Sequence, residues 1–146
     1  MGGDEWWQTG PYQRDPAAAF RQAQAEELAK DSHGFEGRTI QELWEDKGWI
    51  EYILTGGTGT VLDQAHMVAA THAEDPTHDE WGPFMRPLTE EEIRAWCSSG
   101  RPTYAEWHDA LTSDRLPFPG RACGNCTVLY RDGQPAQIGY WGTTAD

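Results

Sequence analysis

Cations are scarce in this chain. Eleven Lys and Arg stand against 24 Asp and Glu, which leaves a formal net charge of −13 and a pI near 4.6. Lysine is almost missing, with only Lys30 and Lys47. Nucleic-acid phosphates are neutralised by Lys and Arg, and anionic lipid surfaces attract the same residues. A chain this acidic repels both, so the expectation is no nucleic acid and no membrane as partner. Long apolar runs are missing as well. The longest, Ala17–Phe20 and Met67–Ala70, are four residues, whereas a spanning helix needs about 20. Cysteine occurs three times, at Cys97, Cys123 and Cys126. That is odd in number and too few for a disulfide framework. The opening Met1-Gly2-Gly3-Asp4-Glu5-Trp6-Trp7 has neither the basic start nor the apolar stretch of a secretory signal. Trp6 also stands where a myristoylation signal carries Ser or Thr. These absences make a cytoplasmic protein the expectation. Asn appears once, at Asn125, and Arg outnumbers Lys nine to two. That bias reads as G+C-rich coding and points to a bacterial source.

What is present is enough for a folded domain. The 146 residues are 38% hydrophobic and 12% aromatic, with eight Trp. A chain of this length buries roughly 68–70% of its unfolded surface, so one core forms without staples. Residues 1–14 read as a polar lead-in carrying Trp6 and Trp7, and residues 15–146 as a single globular domain. Asp15 with Pro16 is a helix start, and Ala17 to Lys30 carries good helix formers. Thr39 with Glu42, Thr89 with Glu92, and Thr103 with Glu106 are three capping boxes, each opening a short helix. Trp49–Leu54 fits a strand or a continued helix, and Thr60–Ala70 a strand opened by β-branched residues. Residues 73–87, with Pro76, Pro83 and Pro87, read as a loop.

The firmest strand signal comes last. Cys126–Arg131 and Ala136–Trp141 flank Asp132-Gly133, a hairpin turn pair. A tight turn there sets Leu129 near Ala136 and Thr127 near Ile138. Pro135 cannot donate to a ladder, so the second strand is expected to start after it or to lie at an edge. The fold class is therefore α+β. A small, mainly antiparallel sheet ends in a C-terminal hairpin and packs with about four short helices. The hairpin's outer edge leaves both a monomer and a homodimer open.

Four constellations bear on chemistry. His66, His72 and His78, with Glu74 or Asp79, carry zinc or iron ligand types, but their six-residue spacing matches no short metal motif. Cys123-Gly124-Asn125-Cys126 is a CxxC pair; a structural zinc there needs two more ligands, for which Cys97 and His108 are the candidates near in sequence. The plainer reading is a tight turn with Cys126 buried as a small hydrophobe. Gly56-Gly57-Thr58-Gly59 lacks the Lys-Ser/Thr ending of a phosphate loop and reads as a turn. Cysteine–histidine pairs have no local catalytic signature around them.

A further feature is uncompensated charge. Gly48 to Phe84 contains no Lys or Arg and six acids: Glu51, Asp63, Glu74, Asp75, Asp79 and Glu80. Glu74, Asp75, Asp79 and Glu80 surround Trp81, a residue type enriched at binding hot spots. An apolar centre with a charged rim is how an interface is built. The sequence thus leads to an acidic interaction protein with no resident cofactor. It would neutralise or chaperone a basic protein partner, as immunity or antitoxin proteins do as a class. The alternative is a small metal-dependent enzyme or metal-binding protein, with zinc or iron on the His/carboxylate loop or the Cys cluster.

Overall fold

Helix starts follow the capping chemistry closely. The computed structural model describes residues 3–30, 38–72 and 82–145. The carboxylate of Asp15 accepts the Ala17 N–H and opens α1, Pro16–Ala29, with proline in its first turn. Thr39 caps α2, Ile40–Leu43, by accepting the Glu42 N–H. Asp46 caps α3, Lys47–Thr55, which settles the ambiguous Trp49–Leu54 as helix. Reciprocal boxes are complete at Thr89/Glu92 and Thr103/Glu106. They open α4, Glu90–Arg94, and α5, Tyr104–Thr112. At Thr39/Glu42 only the Thr-to-backbone half is formed; the Glu42 carboxylate meets the Thr39 hydroxyl instead.

Five strands form one mixed sheet in the order β1-β5-β4-β3-β2. They are β1 Glu5–Pro11, β2 His66–Met67, β3 Phe84–Pro87, β4 Gly124–Arg131 and β5 Gln134–Thr143. β4 and β5 are the expected hairpin, turning at Asp132 (φ 52°) and Gly133 (φ 77°), the positive pair that a tight twisted turn requires. β1 runs antiparallel to β5; β3 and β2 continue beyond β4 as short parallel ladders.

Several expectations are corrected. The polar lead-in is not separate, since residues 5–11 are a strand of the sheet. The stretch read as a loop contains β3. Thr60–Ala70 is not one strand but a 3-10 turn, Val61–Asp63, followed by the two residues of β2. The hairpin's outer edges are largely covered, since β1 pairs with Gln137–Thr143 of β5 and β3 with Gly124–Cys126 of β4. β5 begins before Pro135 and extends past the end of β1, so the missing N–H falls where no neighbour needs it. A bulge between Leu129 and Tyr130 shifts the register by one. Leu129 faces Gln137, and Val128 faces Ile138.

Each face of the sheet is covered. On one side Ala19, Phe20 and Ala23 of α1 pack on Trp6, Met85, Cys126, Ile138 and Tyr140. On the other, Trp107, Ala110 and Leu111 of α5 pack on Leu129 and Trp141. α2 and α3 close around Leu28 and Leu62 as a third cluster with Trp49 and Ile53. Buried Gln24 ties α1 to the 3-10 turn through the Val61 and Gln64 carbonyls. The Gly56–Gly59 turn binds an anion after all, the protein's own Asp63. Its carboxylate accepts the Thr58 N–H (2.7 Å), the Thr58 hydroxyl (2.6 Å) and the Gly59 N–H (3.0 Å). Asp63 is 1% exposed. Asp63→Ala is therefore expected to cost about 2 kcal/mol, since it leaves these donors unpaired in a part-buried turn. Urea unfolding measures it, and a loss below about 0.5 kcal/mol would show the turn holding itself.

Candidate functional site

Strand and helix periodicity together build an aromatic surface on the α5 side of the sheet. Trp6 of β1 points inward to α1 and is buried, so Trp7 must point to the opposite face. There it lies at the border of the sheet and is 44% exposed. On α5, Trp107, Ala110 and Leu111 take the sheet-facing positions. Tyr104 and His108, one turn apart, flank that stripe and stack on each other at 5.8 Å and 19°. Trp7 meets the edge of His108 at 5.9 Å and 72°. Tyr104 is 45% exposed. The three rings make one continuous, solvent-facing aromatic surface, with buried Trp107 beneath Tyr104 at 5.7 Å. Glu5, also exposed, lies two residues from Trp7 on the same strand face, about 7 Å away.

A second feature is a cavity of about 320 Å³ between α4 and the 116–120 segment. Trp96 and Phe118 line it, and Arg86, Glu92 and Asn125 supply its polar groups. Arg86 is 4% exposed. It donates to both Glu92 carboxylate oxygens at 2.8 Å and to the Ala70 carbonyl at 2.7 Å. Arg86 is the main reason the Glu92 carboxyl falls to about 2; the Thr89 backbone bond adds to it, while burial opposes. The 116–120 wall is tied to β5, since the Trp141 indole donates to the Pro117 carbonyl and the Thr143 hydroxyl to that of Pro119.

The residues singled out in the sequence fall as follows. Glu74, Asp75, Asp79, Glu80, Trp81 and His78 lie outside the described residues. His66 is half-buried in β2. His72 follows it in an exposed turn, its ring packed on Phe84 at 4.8 Å. Among the described residues, no three His, Cys, Asp or Glu gather into a group that could hold a metal ion. Cys97, Cys123 and Cys126 are all described and are not brought into one. Each is buried and unbridged. Cys97 faces the Ser99 hydroxyl and, at 3.8 Å, the Glu106 carboxylate. Gly124 and Asn125 are strand rather than turn, and burial pushes the Cys126 thiol up to about 12. A thiol held that high is not a nucleophile near neutral pH.

Tyr104 was not singled out in the sequence, and His108 only as a candidate zinc ligand beside the cysteines. Their one-turn spacing beside Trp107 is a local signal, but their meeting with Trp7 depends on which strand lies at the border. No protein-family model, curated protein or solved structure matches the chain. No helix among the described residues is long and apolar enough to cross a membrane.

Proposed function

We propose that this chain is an acidic protein-interaction module that binds a basic protein partner and neutralises or chaperones it. The observation that carries the reading is the exposed Trp7–His108–Tyr104 surface on a molecule of net charge −13. Aromatic side chains supply contact area at low entropic cost and concentrate at interface hot spots. The surrounding negative field steers a cationic partner and raises its encounter rate. Glu74, Asp75, Asp79, Glu80 and Trp81 supply a second acidic-aromatic cluster in sequence, within a stretch without Lys or Arg.

The two groups of residues separate in kinetics. With a partner captured from the source cell and purified, Trp7→Ala with Tyr104→Ala is expected to raise the dissociation rate at least tenfold. Reversing Glu74, Asp75, Asp79 and Glu80 to Lys is expected to slow association, most strongly at low salt. Both variants should melt as the parent does. An acidic partner, or an affinity that neither variant changes, would sink the reading.

A further inference from the structure

We propose that β1 is the docking edge, and that the basic partner contributes an extended cationic segment that adds to the sheet as a sixth strand. This rests on the reading above and specifies its mode. The direction of the backbone groups follows from the ladder. The Thr143 carbonyl accepts from Ala122 N–H, and Thr143 N–H donates to the Cys123 carbonyl, so Thr143 turns toward the β4 side. Its neighbour Thr144 turns the other way and donates to the Asp4 carbonyl. Backbone direction alternates along a strand. Gly142, Tyr140 and Ile138 therefore face β1 and bond Trp6, Gln8 and Gly10, their register partners. The N–H and C=O groups of Glu5, Trp7 and Thr9 consequently point away from the sheet. Among the described residues, no backbone group of another segment bonds to them.

An open edge is a template for pairing, and edges are commonly blunted by Lys, Pro or a cover. This one carries no Lys, and its single Pro, Pro11, closes only the far end. The residues with outward backbone groups are also those whose side chains lie on the aromatic face. An added strand would thus receive main-chain bonds from Glu5, Trp7 and Thr9. Its alternate side chains would lie over Trp7 and beside Glu5. Arg or Lys suits both positions, through a cation–π contact with the indole and an ion pair with the carboxylate. A second copy of this chain would bring −13 against −13, whereas a cationic strand meets its complement.

The test uses the full chain and an eight-residue capped peptide alternating Arg and Val, with a Glu/Val peptide as control. On adding the Arg/Val peptide, amide exchange at Glu5, Trp7 and Thr9 is expected to slow at least tenfold, while Gln8 changes little. Thr9→Pro removes an N–H that bonds nothing within the fold, and border strands tolerate proline there. It is expected to melt near the parent value and to bind the peptide at least tenfold more weakly. Exchange in the unsubstituted chain decides the matter by itself if Thr9→Pro does not fold. Peptide binding that leaves the three amides unprotected, or that Thr9→Pro does not weaken, would overturn strand addition and leave the basic-partner reading standing. Equal binding of the Glu/Val peptide, or no binding of either, would overturn the cationic occupant. A concentration-dependent dimer abolished by Thr9→Pro would replace it with a second copy.

Discussion

Glu92→Ala is expected to cost about 3 kcal/mol. Breaking a buried ion pair from one side typically costs about 3–5 kcal/mol, because the remaining charge stays in a poor solvent. Arg86 is that remaining charge, while Glu92 keeps about a third of its side chain in water, which lowers the expected figure. The same substitution also removes the acceptor for the Thr89 N–H, half of the α4 capping box. Arg86→Met is expected to cost less, since it leaves a carboxylate that can turn to solvent. Adding Arg86→Met to Glu92→Ala should restore part of the loss. Urea unfolding of the four proteins gives the coupling, and near-additivity would show that the pair does not act as a unit.

The pair also sets an acid limit. Glu92 has a folded-state pKa of about 2 against an ordinary 4.5. A depressed carboxyl stabilises the fold above its unfolded pKa, and that contribution is lost as pH falls through the folded one. Stability should therefore decline between about pH 5 and pH 2. Allowing for solvent around a partly exposed group, Glu92 accounts for about 1–2 kcal/mol of that decline. Glu92→Gln should flatten this part of the curve. An unchanged acid limb would assign it to other carboxylates.

The second large effect is expected at Gly142. The Trp6 ring packs closely against it from the α1 side, much as that of Trp107 packs against Gly139 from the α5 side. A Cβ at 142 would stand 2.6 Å from the Trp6 ring and 2.8 Å from the Cys123 carbonyl oxygen. The ring belongs to a buried side chain, and the carbonyl is fixed by its bond from Thr143 N–H. Overpacking usually costs about 1–3 kcal/mol. With two immovable neighbours, Gly142→Ala is expected to exceed about 3 kcal/mol or to prevent folding. Trp6→Leu in the same chain should recover only part, because the carbonyl remains. Full recovery would show the indole to be the sole obstacle.

Local chemistry was the legible part of this fold. Asp15-Pro16, Thr89/Glu92, Thr103/Glu106 and Asp132-Gly133 act over two to four residues, so they show in the sequence directly. What escaped depends on partners distant in the chain. β1 shows no clean alternation in Trp-Trp-Gln-Thr-Gly and becomes a strand because β5 offers it seven register partners. β2 and β3 are too short to carry a period of their own. The bulge at Leu129/Tyr130 has no composition signal, and it moves every pair of the hairpin beyond it by one position. The aromatic surface was half legible. Trp7 was noticed for its type, but its exposure follows from Trp6 taking the inner face. Its company of Tyr104 and His108 follows from α5 crossing that side of the sheet.

The pairing of β1 with β5 has a consequence for synthesis. Among the described strands, the earliest made in this sheet pairs only with the latest made. Until Gln137–Thr143 emerges, Trp6 and Trp7 have no ladder to join, and α1 has no complete sheet to cover. The hairpin can close locally within microseconds, but the β1–β5 seam needs contacts between residues more than 120 apart in sequence, the most demanding kind to form early. Until β5 is made the sheet cannot close, and helices as short as α2 and α4 are marginal without it. Over that interval Trp6 and Trp7 are unburied apolar surface, the kind that chaperones exist to shield.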